Sequence, residues 1–207
     1  MKKIIILTIS FILSIQAVGQ DKYNIYHYVP FIPQPDNTSC WSASIAMILW
    51  WRDNKDANAC LPDALTPEQV RLIATFKYWS NYFSGLPADD IRTLRLFGFE
   101  TISPQSFTLE TFANYLDKSP IWVAWDGCDK PFQCNHAVVI VGLKGDGTAN
   151  GTSIIYHDPD DGSQVYPNLG ERDVKKTYSE FIQRLNRRAL SFSSGNIHFI
   201  AYLKSKN

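Results

Sequence analysis

Cys40 stands where a polar, turn-rich stretch becomes an apolar run, within QPDNTSCWSASIAMILWW at residues 34–51. Residues 35–39 have the composition of a turn followed by a helix cap. The apolar positions after Cys40 have helical spacing. Cys40 is therefore predicted at the N-terminus of a helix, whose partial positive charge favours the reactive thiolate form of a cysteine. Such a thiolate can act as a nucleophile.

A nucleophilic cysteine needs a base, most often a histidine, and a third group that orients the base. His136 opens a predicted strand over 137–143, and Asp158 follows a predicted strand over 153–157. A turn centred on Gly147 would join these strands into a hairpin. It would bring His136 and Asp158 together across the ladder, as a base and its orienting carboxylate.

The choice of orienting group depends on the register of this hairpin. A turn position defines the register only to within a residue or two, which leaves Asp160 and Asp161 as alternatives to Asp158. His157 points to the opposite face of its strand from Asp158, because side chains alternate along a strand. His157 is therefore predicted to be a neighbour of the site and not its base.

Gln34 lies six residues before Cys40. Its side-chain amide can turn back over the N-terminus of the predicted helix. Together with the backbone N–H of Cys40, it would offer two hydrogen-bond donors to a developing oxyanion.

The elements that must position these residues differ between the two halves of the chain. Helices are predicted over 41–51, 67–75, 88–97, 109–118 and 178–187, and strands over 121–125, 137–143, 153–157 and 197–203. A mostly helical first half thus precedes a mostly antiparallel second half. This predicts an α+β fold of two lobes, with the cysteine on a helix of the first and the histidine and aspartate on the sheet of the second.

Three motifs in this order, Q-P-D-N-T-S-C-W-S-A-S, N-H-A-V-V-I-V-G and H-D-P, resemble the papain-like cysteine peptidases. The sequence is most similar to their compact bacterial branch, which includes bacteriocin-leader peptidases and secreted effector proteases. The resemblance covers most of residues 30–160. It implies a papain-like two-lobe fold with Gln34 in the oxyanion hole, Cys40 as nucleophile, His136 as base and Asp158 as orienting group.

The chemistry implied by the resemblance is acyl transfer through a thioester, with a peptide or protein substrate and no metal or organic cofactor. Two alternatives use the same chain differently. An amidase, deamidase or transacylase, acting for example on cell-wall peptides, would use the same triad. A non-catalytic binding domain on this scaffold would be expected to have lost part of the constellation, and all four positions are intact.

The N-terminus has the pattern of a secretory signal peptide. A basic start, MKK, is followed by an apolar run at 4–15 and by small residues at 17–19. We expect cleavage after Gly19 or Gln20, and therefore an exported protein, periplasmic or extracellular, without a stable membrane anchor after cleavage.

The predicted organisation is a signal peptide at 1–19 and one papain-like peptidase domain at 20–207. The whole chain has 20 basic and 20 acidic side chains. Cleavage would remove two lysines and leave a slightly acidic protein, which argues against nucleic acid as a partner because phosphate binding needs clustered lysine and arginine. We expect a monomer.

Export also permits disulfide bonds, because the compartment is oxidising. A Cys40–Cys60 disulfide is the alternative to a nucleophilic Cys40, but the preferred pair is Cys128–Cys134, just before His136. A zinc site built from His136 and the three cysteines other than Cys40 is disfavoured by their spacing and by the oxidising setting. No metal site is predicted.

Overall fold

The computed structural model describes residues 21–54, 65–78, 81–82, 85, 91–102, 107–126, 135–160, 169–190 and 200–203. The expected signal peptide at 1–19 lies outside the described residues, as do Cys60, Asp161 and the expected disulfide partners Cys128 and Cys134.

Helices predominate in the first half of the described chain and strands in the second. In order they are β1 (Tyr23–Tyr26), α1 (Cys40–Asn54), α2 (Pro67–Tyr78), α3 (Ile91–Leu96), β2 (Phe99–Ile102), α4 (Leu109–Leu116), β3 (Ile121–Asp126), β4 (Asn135–Gly145), β5 (Thr152–Asp158), β6 (Glu171–Thr177), α5 (Tyr178–Leu190) and β7 (Ile200–Leu203).

The strands of the described residues form one antiparallel sheet in the order β2-β7-β3-β4-β5-β6. On one side of β4, β3 pairs with its first part and β1 with its last four residues, while β5 pairs along the other side. β4 is therefore the central strand, as its apolar residues on both faces predict.

The sheet separates two hydrophobic cores. On one face, Ile45 of α1 and Val70 of α2 pack in a core that includes Val139 of β4. On the other face, a second core contains Phe112 of α4 and Phe181 of α5. The α+β class is confirmed, and a single sheet joins the two halves of the protein.

An irregularity at Val141 changes the face to which β4 side chains point. Val139 and Val141 belong to the first core, but Leu143 belongs to the second, because an extra residue at a bulge reverses the alternation. Next to it, a Cβ on Gly142 would lie 2.9 Å from the carbonyl oxygen of Ile25. Glycine at this position therefore allows β1 to approach β4 closely.

Helix α1 is buried on all sides along most of its length. Every residue from Trp41 to Leu49 is buried, as expected for a core helix. Its buried serine hydroxyls are satisfied by backbone carbonyls: Ser42 donates to Ser39 at 2.9 Å and Ser44 donates to Ala137 of β4 at 3.2 Å. The second bond ties the helix to the strand on which His136 lies.

Three strands of the sheet, β1, β2 and β6, are missing from the strands expected from the sequence. β6 has the sequence ERDVKKT and lies at one edge, where charged side chains face solvent and the apolar alternation is weak. β2 has four residues, FETI, and lies at the other edge. Within the described ranges, no helix is both long and apolar enough to cross a bilayer.

Candidate active site

Cys40 is the first residue of α1. The carbonyl of Ser39 accepts the N–H of Ala43 at 2.9 Å, which closes the first turn of the helix. The N–H of Cys40 has no intrahelical acceptor at this position, so it is available to a ligand. The thiol is free and partly exposed. The alternative of a disulfide at Cys40 is therefore wrong.

The turn before Cys40 is held by Asp36. Its Oδ1 accepts the backbone N–H of Thr38 at 2.9 Å and the Thr38 hydroxyl at 2.6 Å. Its Oδ2 pairs with the guanidinium of Arg71 in α2, which is almost fully buried. Burial alone would raise the pKa of Asp36, but the bonds from Thr38 and Arg71 hold it below its usual value. The turn into α1 is therefore fixed by a charged, hydrogen-bonded network.

His136 and Asp158 are in direct contact. Nε2 of His136 lies 2.5 Å from Oδ1 of Asp158, and both side chains are mostly buried. The same carboxylate oxygen accepts the backbone N–H of Asp160 at 3.0 Å. Asp158 is thus the carboxylate that the structure places against the imidazole, and Asp160 contributes its N–H to that carboxylate.

The register of the hairpin differs from the prediction. Val139 pairs with His157, whereas a turn centred on Gly147 would place Val139 two residues away along β5. Asp158 therefore lies diagonal to His136 and not opposite it. Diagonal neighbours on a sheet remain within reach of long side chains, so the contact forms despite the shifted register.

The imidazole of His136 also has a hydrogen bond with the side chain of Cys40. Because Nε2 is engaged by Asp158, Nδ1 is the ring nitrogen left for the sulfur. Burial on its own lowers the pKa of His136, but the negative charge and hydrogen bond of Asp158, with the Cys40 contact, raise it well above its usual value. The protonated imidazole is thus favoured between a carboxylate and a sulfur.

Gln34 is almost completely buried, with 1% of its surface exposed. Its backbone N–H donates to the carbonyl of Pro159 at 2.9 Å, next to Asp158 in the chain. Its Oε1 is buried and has no hydrogen-bond partner among the described residues. The backbone bond places Gln34 beside the piece of chain that carries Asp158.

His157 is a neighbour of this site with a different environment. It is fully buried, its Nε2 donates to the carbonyl of Val29 at 3.1 Å, and its Nδ1 accepts the N–H of Asp173 at 3.2 Å. Burial lowers its pKa, so the neutral ring is favoured. Since both nitrogens are engaged by backbone groups, His157 cannot serve as the base.

Residues 23–170 match the family model described as papain-like cysteine protease AvrRpt2, which covers well over half of the 207-residue chain. The chain belongs to this family. The protease is thus of the cysteine type, as the sequence predicts, and its α+β architecture is that expected of a papain-like fold.

One similar solved structure is a double glycine motif protease from an AMS/PCAT transporter in complex with the leader peptide. Its sequence is 22% identical to the sequence described here. The match covers 87% of this chain and 96% of the chain of the solved structure, with a TM-score of 0.46. No curated protein matches the sequence.

Two residues that support the site of the protease are absent from the sequence-based predictions. Ser44 follows Cys40 by one helical turn, so its position on the same helix face could have been predicted from the spacing. Arg71 pairs with Asp36 across 35 residues of sequence, and no local pattern signals this pairing.

Among the residues that the structure describes, no group of three or more His, Cys, Asp or Glu side chains could hold a metal ion. The three cysteines of the alternative zinc site lie outside the described ranges.

Replacing Asp158 with asparagine is expected to lower the pKa of His136, because the charge that favours the imidazolium is removed. The raised pKa of His136 stabilises the folded protease fully below pH about 6.5, and this stabilisation is lost as the pH rises through the folded pKa. The free energy of unfolding of Asp158→Asn should therefore fall most below that pH. NMR titration of His136 and chemical denaturation at several pH values measure both effects.

Asp160→Asn is the matched control for this prediction, because Asp160 is two residues away and meets Asp158 through its backbone N–H. It should leave the titration of His136 nearly unchanged. An equal pKa shift in both variants would contradict the assignment of the charge effect to Asp158.

Proposed function

We propose that the protein is an exported peptidase that hydrolyses peptide bonds with Cys40 as nucleophile, His136 as base and Asp158 as orienting group. The observation that carries this proposal is the chain of contacts from the free thiol of Cys40 through His136 to Asp158. A nucleophile, a base and a group that orients the base, in series, are an arrangement suited to covalent acyl transfer.

In the proposed reaction, Nδ1 of His136 takes the thiol proton of Cys40, which gives a thiolate beside an imidazolium. The sulfur attacks the carbonyl carbon of the substrate, and the carbonyl electron pair moves to its oxygen. The imidazolium then protonates the leaving amine as the C–N bond breaks and a thioester forms. Water, deprotonated by His136, hydrolyses the thioester and restores the thiol.

Asp158 has an orienting role in this scheme. Its bond to Nε2 fixes the ring so that Nδ1 faces the sulfur, and its charge stabilises the imidazolium that forms in the first step. The bond from the Asp160 N–H holds the carboxylate in turn.

The oxyanion is proposed to bind two donors, the N–H of Cys40 and the side-chain amide of Gln34. Cys40 is the first residue of α1, where backbone N–H groups and the helix dipole favour negative charge. Gln34 supplies a buried amide whose position is set by its backbone bond to Pro159. Donors fixed before the reaction stabilise the transition state without reorganisation.

Export is part of the proposal and rests on the basic start, apolar run and small residues at the N-terminus. The substrate class, a peptide or protein, rests on membership in the cysteine protease family.

A digest of a peptide library by the purified protein, read by mass spectrometry, tests the proposal. We expect cleavage at internal peptide bonds, with a preference that appears as shared residues around the cut, and no cleavage by Cys40→Ala. Loss of ammonia without chain cleavage would replace peptidase by amidase activity. Joined peptides would indicate a transacylase, and an unchanged library would contradict an active enzyme.

A further inference from the structure

The segment that carries Gln34 is held by side-chain packing and a few hydrogen bonds, and not by a sheet ladder. This segment, residues 29–34, is VPFIPQ and forms neither helix nor strand. Two of its six residues are prolines, which have no N–H to donate to a sheet. Val29 is buried in the first core and Phe31 and Ile32 pack against it, while a few hydrogen bonds fix the two ends of the segment.

Three of these contacts are made with two residues around the end of β5, His157 and Pro159. The Nε2–H of His157 donates to the carbonyl of Val29 at 3.1 Å. The ring of Phe31 meets the His157 ring edge-on, with centroids 5.9 Å apart. At the other end of the segment, the N–H of Gln34 donates to the carbonyl of Pro159 at 2.9 Å. The segment is thus held at both ends and in the middle.

Between His157 and Pro159 in the chain lies Asp158, which contacts His136. One short piece of chain, residues 157–159, therefore contacts both the base and the segment that bears the oxyanion amide. The opposite side of the segment is closed by Gly170, which has a positive φ of 61°. A Cβ there would collide with the ring of Phe31 and with the carbonyl oxygen of Asp158.

The bonds of His157 specify a single form of its ring. Nδ1 accepts a hydrogen bond from the N–H of Asp173 at 3.2 Å, so Nε2 carries the proton that it donates to Val29. The side chain is fully buried and has an acceptor bond on one side and a donor bond on the other. An apolar residue in its place would leave the Val29 carbonyl and the Asp173 N–H without these partners.

We propose that His157 is a positioning residue for the oxyanion hole: it fixes the 29–34 segment, and with it the Gln34 amide, relative to Asp158 and His136. This inference rests on the proposed peptidase function for its kinetic consequences. If His157 only stabilised the core, its replacement would not affect Gln34 more than other residues.

The kinetic test compares His157→Leu, Gln34→Ala and the double variant in the purified protein. Loss of an oxyanion donor in Gln34→Ala should lower kcat about 10²–10³-fold. His157→Leu displaces that donor and should lower kcat about 10–10²-fold with little change in KM, as expected for a small misplacement. The double variant should be no slower than Gln34→Ala, because both changes remove the same interaction.

Two further measurements separate positioning from general damage. Alkylation of Cys40 by iodoacetamide should proceed at the wild-type rate in His157→Leu, because the Cys40–His136 pair does not depend on the segment. His157→Gln, whose amide can donate to Val29 or accept from Asp173, should recover part of the lost kcat. If His157→Leu does not fold, Phe31→Ala loosens the same segment and should show the same non-additivity with Gln34→Ala.

Amide hydrogen exchange of Gln34, followed by NMR, tests the contact without any substrate. His157→Leu should speed exchange at Gln34 while the amides of β4 stay protected. Unchanged exchange, additive losses of kcat, or slower Cys40 alkylation would each overturn the inference. A wild-type protein that cleaves no peptide would overturn the proposed function instead, and the exchange result would then decide whether His157 fixes the segment.

Discussion

Cys40→Ala is expected to lower kcat on a peptide substrate by on the order of 10⁴–10⁶-fold, the range observed when a covalent nucleophile is removed. Without the sulfur, no thioester can form, and only binding and the oxyanion donors remain to assist water. The thiol is partly exposed and lies at the helix surface, so its loss should leave the fold intact. A fluorogenic peptide chosen from the library digest measures the rate, and circular dichroism measures the fold.

Cys60→Ala is the matched control, because it removes a thiol from elsewhere in the chain. It should retain most of the wild-type rate. Iodoacetamide followed by mass spectrometry should modify Cys40 in the native protein without prior reduction, as expected for a free thiol. Substantial activity in Cys40→Ala would contradict the mechanism.

His136→Ala is expected to have the second largest effect, a loss of kcat of about 10⁴-fold or more. Two functions disappear together: proton transfer from the thiol and protonation of the leaving amine. The imidazolium between Asp158 and Cys40 also supports the thiolate, so alkylation of Cys40 at neutral pH should slow in this variant. Stopped-flow alkylation and peptide hydrolysis, measured side by side, test both consequences.

His157→Gln is the matched control, since it changes the other histidine of the same hairpin without touching the Cys40–His136 pair. Its Cys40 alkylation should match the wild type. A His136→Ala protein whose alkylation and hydrolysis both proceed at wild-type rates would show that another group is the base.

Much of the site could be predicted from local sequence patterns. The turn and cap before Cys40 predict a helix that begins at the thiol, and α1 begins at Cys40. The apolar run after His136 predicts a central strand, and β4 is central. The contact between His136 and Asp158 was expected, although by a different register. The catalytic roles of these residues stay predictions until activity is measured.

The rest depends on long-range packing, which a local pattern does not contain. The pairing of Arg71 with Asp36 and the bonds of His157 to Val29 and Asp173 join segments far apart in the chain. The edge strand β6 is too charged to give an alternating pattern. The hairpin register differs from the predicted one because β4 and β5 pair through a bulge and the turn lies further along the chain than Gly147.

The burial of α1 on all sides has a consequence for how activity arises during folding. An apolar helix without a solvent face has no stable position until the sheet is there to cover it. The bond from Ser44 to Ala137 spans 93 residues, and the base is carried by the same distant strand. A contact of this range requires the closure of a long loop, which costs chain entropy before the contact can stabilise the fold. His136 therefore reaches the thiol only when β4 docks on α1, so a chain still unfolded has the cysteine without the histidine beside it.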